Sequence, residues 1–179
     1  MNVLSRLLVI LRWAALLSFL FGAVTPALAA KTYSDNGDGT VTDPTTGLTW
    51  MRCLMGQTWD GTTCTGAATS TFSFNQASGL TGSVVFAGQN DWRLPNIREL
   101  QTIVDRSSYP LTVDSAVFPS DWQRFLVSST HGSNGPYAWT IEVSTGMAVE
   151  GDDWQAINQV LLVRGGQLLG LLDIARPST

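Results

Sequence analysis

The sequence predicts an α+β fold in which two short helices pack on short antiparallel strands. Three observations predict it. Asn-Gly, Asp-Gly and Thr-Gly turn signals recur along the chain, apolar residues alternate with polar ones over short runs, and two segments open with a helix-capping pattern.

Residues 1–30 read as a leader. They carry Arg6 and Arg12, an apolar run from Ala14 to Val24 and small residues at the end, the three parts of a secretory signal peptide. Ala27-Leu28-Ala29 fits the cleavage pattern, with Leu28-Ala29-Ala30 as the alternative, so the expected exported domain is residues 31–179. A membrane helix needs about 20 apolar residues, more than this run supplies. If the segment were kept as an anchor, the apolar residues before Arg12 would lengthen it. With the leader removed, the chain is not expected to be an integral membrane protein. No cysteine stands at the cleavage point to take a lipid. The remaining length suits one domain with a single core.

The elements follow in order. "TYSDNGDGTVTD" places Asn36-Gly37 and Asp38-Gly39 between short strand-like segments, and "DPTTG" turns the chain again before "LTWMR", Leu48 to Arg52. Ser73 can cap a short helix, with Gln76 reaching back, that ends near Gly79. In "NDWRLPNIREL" Pro95 blocks an earlier start, Asn96 caps, and Glu99 completes the capping box. Ile97, Leu100, Ile103 and Val104 then form one apolar stripe. Asp105 to Phe125, interrupted by Pro110 and Pro119, reads as a structured loop region. "LVSST" is a strand, "AWTIEV" and "MAVE" form a hairpin through Ser144-Thr145-Gly146, and "QVLLVRG", Gln159 to Gly165, reads as a central strand buried on both faces. The tail "QLLGLLDIARPST" could add a strand.

Charge narrows the partners. Two of the ten basic residues and none of the fourteen acidic ones lie in residues 1–30, so residues 31–179 carry eight positive against fourteen negative charges, a net of −6. This argues against nucleic acid, anionic membranes and sulfated polysaccharides. Arg93, Arg98 and Arg106 are close in sequence, but their spacing does not put them on one helix face.

Cys53 and Cys64 flank the Gly- and Thr-rich stretch "LMGQTWDGTT". In an oxidising compartment a disulfide is the simplest outcome, stabilising by about 3 kcal/mol. A reactive or metal-binding pair is the competing reading.

"DNGDGTVTDPTTGLTWMR", "NDWRLPNIRELQTIVD", "SST" at Ser128 to Thr130, "YAWTIEVSTG" and "LLVRGG", in this order, resemble the Legionella collagen-like protein C-terminal domain family over nearly all of residues 31–179. The resemblance implies a C-type-lectin-like module, similar also to the formylglycine-generating-enzyme fold. It implies exported bacterial proteins, and the family's named member is a trimeric adhesin that binds glycosaminoglycans. The chain departs from the family pattern at Val127, where members commonly carry Trp. It departs again at Gly79 or Leu80 and at Leu162, where they often carry cysteines, so that disulfide is out of reach. It also lacks a collagen-like arm, and its charge argues against glycosaminoglycans.

Within the corner motif, Trp92 and Leu94 read as core residues and Arg93 as a donor to backbone carbonyls or a carboxylate, with Pro95, Asn96 and Glu99 completing a structural signature. Catalytic chemistry is hard to find. His131 follows Ser128, Ser129 and Thr130, but neighbours on one strand point to opposite faces and cannot converge as a triad. Asp152, Asp153 and Trp154 are the candidate ligand-binding group, because an acid pair beside an aromatic suits a saccharide. Asp35, Asp38 and Asp43 suggest calcium but lack EF-hand spacing, and turn formation explains them. The chain lacks the Glu-Pro-Asn sequence of sugar-binding C-type lectins and a late cysteine pair for copper chemistry, so no cofactor is expected.

The expected function is an exported, non-enzymatic surface or periplasmic domain that binds glycans or envelope components in adhesion. One rival is a carbohydrate-active or other enzyme using Glu150, Asp152 and Asp153. Another is a purely structural envelope component.

Overall fold

The computed structural model describes residues 31–105, 112–123, 125–133, 137–151 and 158–166. The leader, the tail from residue 167 and Asp152 to Trp154 therefore lie outside the described residues.

The fold is α+β; the described residues form ten short strands and two short helices. β1 (Ser34–Asp35), β2 (Thr40–Asp43) and β3 (Leu48–Met51) form an antiparallel meander, closed on its far side by β10 (Val163–Gly165). β4 (Thr58–Trp59) and β5 (Cys64–Thr65) make a small hairpin. β6 (Phe125–His131), β7 (Ala138–Glu142), β8 (Met147–Gly151) and β9 (Asn158–Gln159) form a second sheet in the order β8-β7-β6-β9. Among the described residues every strand pairing is antiparallel except β6 with β9.

Both helices begin where their side chains satisfy orphan backbone donors. α1 (Phe74–Ser78) has the Ser73–Gln76 capping box, and α2 (Ile97–Thr102) has that of Asn96 and Glu99. The apolar stripe outruns the second helix: α2 ends with Ile103 as its C-cap, and Val104 instead bridges to Val113. In the loop region beyond, Phe118 is fully buried, and Arg52 donates to the carbonyls of Val117 at 2.8 Å and Ala116 at 3.0 Å.

The single core expected from chain length is two clusters. One joins Val41, Leu48 and Trp50 of the first sheet to Leu126 and Ile141 of the second, with Leu100 and Phe118. The other gathers Met51, Ala77, Trp92, Leu94 and Val127. "QVLLVRG" runs between them and is not one strand. β9 pairs in the second sheet and β10 in the first, while Val160 and Leu162 enter one cluster and Leu161 and Val163 the other. Burial on both sides was legible from its apolar run. The break was not, because it arises from two sheets claiming the two ends.

Candidate functional site

The corner from Trp92 to Glu99 is built from its hydrogen bonds. Arg93 exchanges both backbone hydrogen bonds with Val163, at 2.9 and 3.0 Å, which anchors the segment to β10. Its guanidinium then grips the fully buried Glu99 with two bonds of 2.7 and 2.6 Å, a fork geometry only arginine supplies, and donates again to Gly165 O at 3.0 Å. Glu99 Oε2 also accepts from Asn96 N at 2.9 Å, so one carboxylate serves the cap and the ion pair. Trp92 is fully buried with its indole N–H on Phe86 O, and Leu94 is buried beside it.

Sequence reasoning missed what holds this corner from the other side. The first free amide of α2, Ile97 N, donates to Thr130 Oγ1 at 3.0 Å, and Ser129 N donates to Pro95 O at 2.8 Å. The "SST" motif is thus the dock for the helix start. The available signal was the orphan amide itself, which must find an acceptor outside the helix.

The three N-terminal aspartates each serve a separate turn. Asp35 accepts from Gly37 N and pairs with Arg52, Asp38 accepts from Thr40 N and Oγ1, and the buried Asp43 accepts from Thr45 N and Thr46 Oγ1. Among the described residues no group of three or more His, Cys, Asp or Glu is placed to hold a metal ion. Cys53 and Cys64 are bonded to each other, with Cα atoms 5.4 Å apart. Of the three arginines, Arg93 is committed to Glu99, Arg98 is exposed on α2, and Arg106 lies outside the described residues.

Of the remaining candidates, the structure describes Glu150, at the end of the second sheet; Asp152, Asp153 and Trp154 follow it outside the described residues. Trp139 on β7 lies in register with Glu150 on β8, and the chain continues directly into Asp152, Asp153 and Trp154. Trp139 is half-buried and belongs to neither core cluster. Glu150 Oε1 accepts from Ser133 N, and the Ser133 hydroxyl reaches Glu150 Oε2 at 2.9 Å, which ties the end of β8 to the turn after β6. Ser128 is fully buried and donates to Trp139 O at 2.6 Å, while His131 packs edge-on against Phe74 with ring centroids 4.8 Å apart. Ser128, Thr130 and His131 therefore serve three different partners and form no triad. Trp139 was missed in the sequence because "AWTIEV" reads only as an alternating strand of a hairpin. It shares a strand face with Ile141, two residues further on, which does enter the core.

Residues 39–164 match the Lcl C-terminal domain. The chain belongs to that family. No curated protein and no solved structure gives a significant match. All three departures of this Lcl domain from the family pattern fall in the second core cluster. Val127 and Leu162 are buried members, and Leu80 packs against it. Aliphatic packing occupies the positions where the resemblance implies a Trp and a disulfide. No helix among the described residues is long and apolar enough to cross a membrane.

Proposed function

We propose that this Lcl domain is an exported, non-enzymatic binding module that engages glycans or envelope components through the end of the β7–β8 hairpin. The observation that carries this reading is Trp139 standing across from Glu150 at the strand end that leads into Asp152, Asp153 and Trp154. An indole presents a flat apolar face to a sugar ring, and carboxylates accept from its hydroxyls. The fold class is compatible with the C-type-lectin-like architecture that the resemblance implies, and the charge favours neutral over sulfated ligands. Glu150, with both oxygens on Ser133, is suited to holding a loop rather than to shuttling protons.

A glycan and polysaccharide binding screen tests the reading. Binding that Trp139→Ala and the combined Asp152→Asn, Asp153→Asn variant weaken at least tenfold is the expected result. Turnover of any glycan that the Glu150→Gln variant abolishes would establish the enzymatic alternative. A screen without micromolar binding would leave a structural envelope role.

A further inference from the structure

The turn from β1 to β2 contains Asn36-Gly37, a pair that is chemically reactive as well as turn-forming. The backbone nitrogen after an asparagine can attack its side-chain amide, and glycine, with no Cβ, leaves that approach unhindered. Asn36 and Gly37 are both exposed, so water reaches them.

In the folded chain both reacting groups are tied down. Gly37 N donates to Asp35 Oδ1 at 2.9 Å, and Arg52 Nη1 holds the other oxygen of that carboxylate at 2.9 Å. Asn36 Nδ2 donates to Thr40 Oγ1 at 2.8 Å and to Thr42 Oγ1 at 3.1 Å, and the Thr42 hydroxyl also lies 3.4 Å from Asn36 Oδ1. Asn36 N donates to Thr40 O at 3.2 Å. Attack requires Gly37 N to lose its proton and Asn36 Cγ to swing onto it. The Asp35 carboxylate repels the negative charge that the nitrogen must take on, and the two threonines hold the amide against β2.

The product does not fit the same turn. Gly37 N bonds to Asn36 Cγ, ammonia leaves, and water opens the resulting succinimide at one of its two carbonyls. The net change is side-chain amide plus water to carboxylate plus ammonium. Position 36 then holds aspartate or, with the main chain rerouted through the side chain, isoaspartate. Thr40 Oγ1 already gives its proton to Asp38 Oδ1 at 2.6 Å, so a carboxylate at position 36 meets only lone pairs where the amide donated. Isoaspartate also lengthens the main chain beside a pairing whose register is Ser34 to Thr42 and Asp35 to Val41. β1 is at the edge of its sheet, with β2 as its one strand partner among the described residues.

We propose that Asn36 is a spontaneous modification site controlled by the β1–β2 turn: the closed turn keeps the amide inert, and deamidation during an opening leaves a product that loosens β1 from its sheet.

Peptide mapping of the full-chain protein, incubated at mildly alkaline pH, tests this, with a peptide of residues 34–42 as the unfolded reference. Mapping separates Asn36 from the chain's other Asn-Gly pair, Asn134-Gly135. Asn36 in the folded chain should deamidate at least about tenfold more slowly than in the peptide, since it reacts only through local opening. Asp35→Ala should accelerate it, and so should Thr42→Val, which keeps the Asp35–Arg52 pair. Thermal unfolding establishes that each variant is folded at the incubation temperature. Asn36→Asp, which supplies one product directly, should speed hydrogen exchange of the β1 amides by at least about threefold. A folded-state rate equal to that of the peptide, or no acceleration in either variant, would overturn the control by the turn. Slower reaction in Asp35→Ala would assign Asp35 as a base and overturn it as well. Unchanged β1 exchange in both Asn36→Asp and the isoaspartate-bearing protein would overturn the effect on the sheet.

Discussion

Trp92 and Trp59 both adjoin Phe86 and both have an arginine nearby, yet the chain uses them differently. Trp92 is fully buried in the second core cluster, its N–H satisfied by Phe86 O, with Arg164 6.0 Å from the ring centroid and paired to Asp91. Trp59 is in neither cluster; the Arg52 guanidinium lies over it at 4.5 Å from the ring centroid, Gly39 packs against it, and the Cys53–Cys64 disulfide ties its hairpin to the preceding segment. The first arrangement removes apolar area from water, which stabilises the fold. The second orients a ring whose removal uncovers little core. A tryptophan's place in the fold, more than its presence in a motif, separates a core ring from a peripheral one.

Substitutions can break or sharpen that contrast. The largest effect is expected for Trp92→Ala, which should cost about 3–5 kcal/mol by emptying a packed site, measured by denaturant unfolding. Replacing Cys53 and Cys64 by serine should cost about 3 kcal/mol and lower the midpoint of thermal unfolding. Glu99→Ala strands a partly buried guanidinium and the Asn96 amide. Arg93 is 30% exposed and regains water, so the expected loss is about 2–3 kcal/mol, below that of a fully buried pair. Trp59→Ala should cost under about 1 kcal/mol, because it leaves both clusters intact. A loss as large as that of Trp92→Ala would erase the contrast.

The smallest effect concerns Asp91, whose pKa is lowered chiefly by the hydrogen bond from Arg164. A depressed carboxylate contributes stability above its unfolded pKa and loses it as the pH falls through the folded value. Both partners are partly exposed, at 30% and 54%, so Asp91→Asn should differ from the parent by about 0.5 kcal/mol at neutral pH. The difference should vanish in acid and shrink with salt.

The sequence made local devices readable. The capping boxes at Ser73 and Asn96, the hairpin through Thr145-Gly146 and the Cys53–Cys64 bridge each satisfy their own hydrogen bonds or valence within a few residues, so the pattern and the structure coincide. What was not readable depends on distant partners. The parallel pairing of β9, the docking of Thr130 on Ile97 and the stacking of Trp59 on Arg52 join residues whose types alone do not select one another. The same holds for Trp139, since only the hairpin register reveals that it meets Glu150.

The segment from Asn158 to Gly165 has a consequence for how the domain is made. It supplies side chains to both clusters and a strand to each sheet, so neither half can close without it. Some 110 residues of chain separate β3 from its β10 partner, so a ribosome would have to release almost the whole domain before either half could lock. The two sheets are therefore locked together only when this late segment is in place.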